Sequence, residues 1–190
     1  YAQRVLQLGE APESVFNVGA PGLESITKTK LLPRKSLEDD LKFNFGPVNF
    51  LITYHSVTLQ SDHSEISIQS LLDALVYFPE VSMIFTKQNS DTEGHIIGEK
   101  IDEFVQAHSP RVKSFFSLGQ IRYLSVLNEI DIIIGNSSSG IIEAPSFKKA
   151  TVNIGARQTG RLKASSVIDC VEEKDSVVNA IQKALSSDFQ

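Results

Sequence analysis

From Val48 onward the chain alternates between short apolar runs and amphipathic stripes. The runs lie at 48–54, 81–85, 112–116, 130–134, 150–154 and 167–171. They are rich in Val, Ile and Phe and apolar on both phases of a two-residue repeat, the pattern of strands covered on two faces. Between them, Ile68, Leu71, Leu72 and Leu75 recur at helical spacing, as do Ile97, Ile101, Phe104 and Val105. Ile121, Leu124 and Leu127 give a third stripe, and Val177, Val178, Ile181 and Leu185 a last one. Strand–helix alternation at this spacing predicts right-handed crossovers and a mainly parallel sheet. The expected fold class is therefore α/β, a Rossmann-like doubly wound parallel sheet. In such sheets ligands bind beyond the carboxyl ends of the strands.

The first 33 residues differ from the rest. A helical pattern over 1–9 leads to a short apolar run at 15–18, then to the turn cluster Gly19-Ala20-Pro21-Gly22. This stretch reads as a linker from a preceding domain, and residues 34–190 as one domain. Ser36-Leu37-Glu38-Asp39 resembles a capping box, with Asp in place of the usual Glu or Gln, and predicts that a helix opens at Ser36. The chain opens at Tyr1 within a helical pattern and closes at Gln190 without a stop signal, so both ends are expected to be cuts in a longer protein.

Composition narrows the classes. With 41% apolar and 22% charged residues the chain has ordinary globular content, which disfavours disorder and coiled coil. A net charge of −5 argues against binding along a nucleic-acid backbone. No apolar run approaches the roughly 18–20 residues of a membrane span, and no secretory signal is read at the start. The single Cys170 excludes an internal disulfide framework and is expected in an apolar strand as inert core. A cytoplasmic location is expected. The sequence contains no Walker A loop, G-x-G-x-x-G, H-E-x-x-H or C-x-x-C, and no cofactor or metal is expected.

The candidate chemistry lies after the strands. Gly135-Asn136-Ser137-Ser138-Ser139-Gly140 follows the fourth run and leads into Ile141-Ile142-Glu143-Ala144, which can start a helix. Unpaired N–H groups, a partial positive charge, glycines and serine hydroxyls together suit a phosphate or diphosphate. Glu143, one turn further, can accept two hydrogen bonds from a ribose diol. The bland alternative is that these serines cap a helix. Asn136-Ser137-Ser138 also fits the N-glycosylation pattern, a match expected to be accidental. Arg157 suits a phosphate edge or a solvated loop. Asn89 suits a base, a phosphate or an Asx-turn. The backbone at Leu118 can meet a base edge. His55 is the one histidine placed at a strand's carboxyl end, where it is either structural or an acid toward a leaving phosphate.

The segment Gly135-Asn136-Ser137-Ser138-Ser139-Gly140-Ile141-Ile142-Glu143-Ala144-Pro145, with Val152-Asn153-Ile154-Gly155-Ala156-Arg157-Gln158-Thr159-Gly160-Arg161, resembles the hydrolysing UDP-N-acetylglucosamine 2-epimerases. Phe16-Asn17-Val18-Gly19-Ala20-Pro21-Gly22-Leu23 and Phe85-Thr86-Lys87 through Asp91 fit the same family, so the resemblance covers nearly the whole chain. It implies the second domain of a GT-B fold, the half that holds most of the UDP. By this resemblance Ser137 and Ser138 bind the diphosphate and Glu143 the ribose. Asn89, Leu118 and Arg157 line the nucleotide site, and His55 is catalytic. Family members often carry Pro where Ser56 stands. The implied partners are UDP, UDP-N-acetylglucosamine, a missing N-terminal domain and further copies in a homo-oligomer, with no nucleic acid or membrane. The implied products are N-acetylmannosamine and UDP, for sialic-acid-type sugar synthesis. The family's carboxylate base belongs to the first domain, so the isolated chain is expected to bind UDP without turning over. Non-hydrolysing epimerases carry an Arg-Arg-Glu-Asn stretch after the histidine, where this chain has Ser56-Val57-Thr58-Leu59. A GT-B glycosyltransferase donor domain and a non-catalytic sugar-nucleotide module remain the other readings.

Overall fold

The computed structural model describes residues 1–56, 64–87, 92–187 and 189. Six parallel strands form one sheet in the order β3-β2-β1-β4-β5-β6. They are β1 Asn49–Thr53, β2 Ser82–Thr86, β3 Val112–Phe115, β4 Ile132–Gly135, β5 Ala150–Ile154 and β6 Val167–Cys170. Each falls on one of the apolar runs. The winding goes from β1 outward to β3, then returns to β4 beside β1 and proceeds the other way. This makes the β1/β4 junction the topological switch point.

The alternation of side chains across each strand builds two cores. Phe50 and Ile52 of β1 and Ile132 and Ile134 of β4 point to one face, with helices α4 Ser64–Leu75, α5 Thr92–His108 and α8 Lys174–Leu185. Leu51 and Ile133 point to the other, with α3 Arg34–Leu41 and α6 Gly119–Glu129. The stripe Ile68, Leu71, Leu72 and Leu75 lies buried along α4, as its spacing predicts. No described helix is long and apolar enough to cross a membrane.

The start of α3 differs from the expectation. The helix opens at Arg34 after Pro33, with no side-chain cap. Pro33 supplies a fixed φ of −59° and its carbonyl accepts from the Leu37 N–H at 3.0 Å, so the helix needs no Ser36 hydroxyl to begin. Leu37 and Leu41 then face the core one turn apart.

The first 33 residues hold α1 Ala2–Gln7, which buries nothing, a 3₁₀ turn over Pro12–Ser14, and α2 Leu23–Lys28. Ile26, Leu31 and Leu32 pack onto the second core, and the Leu32 N–H donates to Ser125 Oγ at 2.9 Å.

Candidate functional site

The carboxyl ends of β1 and β4 meet at Thr53 and Gly135, which are register partners. Gly135 has a φ of +131°, and a Cβ on it would lie 2.0 Å from the Thr53 carbonyl oxygen. Only glycine permits this approach. The chain then turns into Asn136, which is wholly buried. Its N–H donates to Thr53 O at 3.2 Å. Its carboxamide accepts from the His55 N–H at 2.7 Å and donates to the His55 carbonyl at 2.8 Å. Its own carbonyl accepts from Gln158 Nε2 at 2.7 Å and from the Arg157 guanidinium at 3.1 Å. One buried asparagine thus ties together the loops after β1, β4 and β5. A buried Asn136 cannot carry a glycan, so the sequon match is accidental.

The serines that follow have distinct surroundings. Ser137 Oγ accepts from the Ser139 N–H at 3.3 Å. Ser139 Oγ bonds the phenol of Tyr123 from α6. Ser138 stands at the N-cap position of α7 Ser139–Ile142 but makes no side-chain cap bond. The capping alternative therefore describes part of Ser137 and none of Ser138. Two expectations need correction. The helix after the serines is a single turn that passes at Glu143 into a 3₁₀ turn over Ala144–Phe147, so its dipole is small. Gly140 does not open the backbone to a ligand. It is buried against β5, where a Cβ would lie 2.7 Å from Thr151 Cγ2, and Thr151 Oγ1 donates to its carbonyl at 2.6 Å.

A cleft of about 400 Å³ lies over these strand ends, within the range of small-molecule sites. His55, Leu118, Ser137 and Glu143, all singled out from the sequence, line it together. So do Thr53 and Thr86, whose hydroxyls bond each other at 2.5 Å, and Gly22 and Ile26 from the lead-in segment. Ser138 sits between two lining serines without lining the cleft itself. Arg157 is solvent-exposed at the loop's base, held to Asn136 rather than aimed into the cleft. Asn89 lies outside the described residues. Burial holds the Tyr123 phenol above its ordinary pKa, so at neutral pH it is an uncharged hydroxyl beside the serines.

Sequence reasoning missed Asn136 as a clamp, and with it Gln158, Tyr123 and the threonine pair. Asn136 carried one available signal: a polar residue directly after an all-apolar strand must be paired if the loop is buried.

Cys170 is half-buried rather than core.

A doubly wound sheet of order 3-2-1-4-5-6 with a cleft at its switch point defines a Rossmann-like α/β protein. The chain belongs to the UDP-N-acetylglucosamine 2-epimerase family, whose sequence model matches residues 1–190. It is similar to the GDP/UDP-N,N'-diacetylbacillosamine 2-epimerase (hydrolyzing) of Campylobacter jejuni, 39% identical over all of this chain and 49% of the relative. It is also similar to the polysialic acid biosynthesis protein P7 of Escherichia coli, 37% identical over all of this chain and 48% of the relative. Among solved structures, Staphylococcus aureus MnaA with UDP superposes with a TM-score of 0.72 at 16% identity, covering 98% of this chain and 49% of that one. The Neisseria meningitidis UDP-GlcNAc 2-epimerase bound to UDP-GlcNAc gives 0.71 at 14% identity, covering 98% of this chain and 50% of that one. The chain spans about half the length of the curated relatives it matches.

Proposed function

We propose that residues 34–190 are the UDP-binding half of a hydrolysing UDP-N-acetylglucosamine 2-epimerase, entered through the lead-in segment 1–33. The observation that carries this is the meeting of His55, Ser137 and Glu143 in one cleft at the β1/β4 switch point. Ser137 receives the diphosphate from the cleft wall, and Ser138, which lies just off that wall with no cap bond of its own, turns to it as well; Glu143 takes the ribose diol, and the backbone at Leu118 a base edge. Arg157 secures the loop from its base, and Asn89 completes the nucleotide site. The relatives' greater length supports a preceding domain that closes over the sugar and supplies the carboxylate base.

The reaction has two steps. The base takes the C2 proton while the bond from C1 to the diphosphate oxygen breaks, its electron pair leaving with UDP and a C1–C2 double bond forming. Water then adds hydroxyl to C1 and a proton to C2 on the opposite face, giving N-acetylmannosamine. On this reading His55 donates a proton or hydrogen bond to the departing diphosphate. The name of the E. coli relative supports a sialic-acid-type product.

A second substrate reading has its own support. The C. jejuni relative, and a Legionella pneumophila relative at 35% identity, are both named for UDP-N,N'-diacetylbacillosamine. This makes a 4-acetamido-6-deoxy sugar the alternative to N-acetylglucosamine on the same UDP site.

Calorimetric titration of this chain with UDP, against UMP and ADP, tests the nucleotide site. Selective UDP binding is expected, and a folded chain blind to UDP would refute the assignment. A full-length protein offered both sugar nucleotides then decides the substrate by its released sugar.

A further inference from the structure

His55 lines the cleft, while its neighbour Tyr54 is buried in the first core. The Tyr54 phenol donates to Glu172 Oε1 at 2.8 Å. Glu172 follows β6, which the sheet order places three strands from β1, roughly 14 Å at the usual strand spacing. One long side chain from each end spans that gap across the ends of β4 and β5. Burial and the bond to Glu172 keep the phenol protonated, so it remains a donor.

The carboxylate itself is held. Ser67 Oγ of α4 donates to its Oε2 at 3.2 Å, so both oxygens are engaged. It lies against Gly155, the first residue past β5, where a Cβ would stand 2.6 Å from Oε1. Gly155 has a φ of +73°, and its N–H donates to the Cys170 carbonyl at 2.9 Å. A side chain at 155 would strain the backbone and displace the carboxylate.

From Gly155 the chain leads back to the cleft. Three residues on, the buried Gln158 donates to the Asn136 carbonyl at 2.7 Å. The Asn136 carboxamide bonds both backbone groups of His55. The contacts therefore close on themselves, from His55 through Tyr54, Glu172, Gly155, Gln158 and Asn136 to His55 again. This circuit anchors the histidine on two sides, at its own backbone and at the side chain before it. A functional side chain keeps its geometry only when the groups behind it are fixed.

We propose that Glu172 is a positioning residue for His55, acting through Tyr54 and through the loop that Gly155 begins. Glu172 lines a cavity beside β6 rather than the cleft, so its influence on the cleft passes through these contacts. Its consequence for UDP rests on the reading that His55 meets the diphosphate.

Calorimetry with UDP in two backgrounds tests this. Glu172→Ala should weaken UDP about tenfold, the worth of one hydrogen bond to a charged group. In a His55→Ala background the same change should cost less than about twofold, because the group it positions is gone. Glu172→Gln can still accept from Tyr54 and donate to Ser67, so it should stay near the parent. Tyr54→Phe keeps the core filled and should reproduce the loss, and it carries the test if Glu172→Ala does not fold. The His55 imidazole gives a second readout that needs no ligand. Its NMR signals, assigned by their absence in His55→Gln, should move in Glu172→Ala and in Tyr54→Phe, a change that lower stability alone does not produce. Equal loss of UDP affinity in both backgrounds, or no loss in either, overturns the positioning role. So do imidazole signals that match the parent's. If the parent chain binds no UDP, the nucleotide reading falls by itself, and the imidazole signals decide the role of Glu172: displaced signals support it and unmoved signals overturn it.

Discussion

The Asn136 carboxamide bonds both backbone groups of His55, accepting from its N–H at 2.7 Å and donating to its carbonyl at 2.8 Å. This is the pairing a neighbouring strand would supply, made by a side chain where β1 and β4 have ended. It fixes the histidine's backbone relative to the serine loop. Asn136→Ala removes both bonds and leaves two polar groups short of partners, at an expected cost of about 2–3 kcal/mol. Urea unfolding measures that cost. UDP affinity should fall as well in the folded fraction, because His55 and Ser137 lose their common anchor. Unchanged affinity would mean that the loops keep their places without the clamp.

The strands were readable because each apolar run is short, β-branched and bounded by turn residues, and the burial of β1, β4 and β5 on both faces leaves no polar phase to confuse the period. His55, Leu118, Ser137 and Glu143 were readable because the rim rule places strand-end residues together without side-chain detail. What stayed hidden depends on contacts distant in sequence. Tyr123 reaches Ser139 from another element, and Gln158 reaches Asn136 from the loop after β5. The role of Gly140 was misread because its neighbour is Thr151, which only the β4–β5 pairing brings near.

Ser138 and Glu143 test the site directly. Ser138 makes no cap bond, so Ser138→Ala should leave thermal stability within about 0.5 kcal/mol of the parent. UDP affinity should drop about tenfold from one lost hydrogen bond to a charged group. On the proposed assignment of this carboxylate to the ribose, Glu143→Gln should weaken UDP while leaving pyrophosphate binding intact. Calorimetry with both ligands separates the two roles.

Tyr54 tests the support behind His55. Its buried phenol donates to Glu172 Oε1 at 2.8 Å, and Ser67 Oγ donates to Glu172 Oε2 at 3.2 Å. The same carboxylate fills the space beside Gly155, where a Cβ would meet Oε1 at 2.6 Å. Tyr54→Phe keeps the ring and removes one donor to a half-buried carboxylate, at an expected cost of about 1–2 kcal/mol. Tyr54→Phe together with Glu172→Gln should cost less than the sum of the two, and a denaturant double-mutant cycle reads the coupling.

Three neutral groups make the fold sensitive to alkali. Burial pushes the Cys170 thiol up to about 12, aided by the charges of Asp169 and Glu172. Burial likewise raises the Tyr54 phenol, reinforced by its bond to Glu172, and the Tyr123 phenol. In each case the folded pKa lies above the unfolded one, so folding favours the protonated form. The contribution is complete below the unfolded values, about 9 for a thiol and 10 for a phenol. It is lost as pH rises through the folded values. The urea midpoint should therefore be flat in these terms to about pH 8.5 and fall from pH 9 upward. Cys170→Ala should remove the earliest part of that fall and leave the part due to the tyrosines. At pH 8 the thiol should react with a disulfide reagent tens of fold more slowly than an ordinary cysteine, the small thiolate fraction outweighing the greater nucleophilicity that a high pKa confers. Reaction at the ordinary rate in the folded chain would show that Cys170 meets solvent as a free thiolate, and the early part of the alkaline fall should then be missing as well.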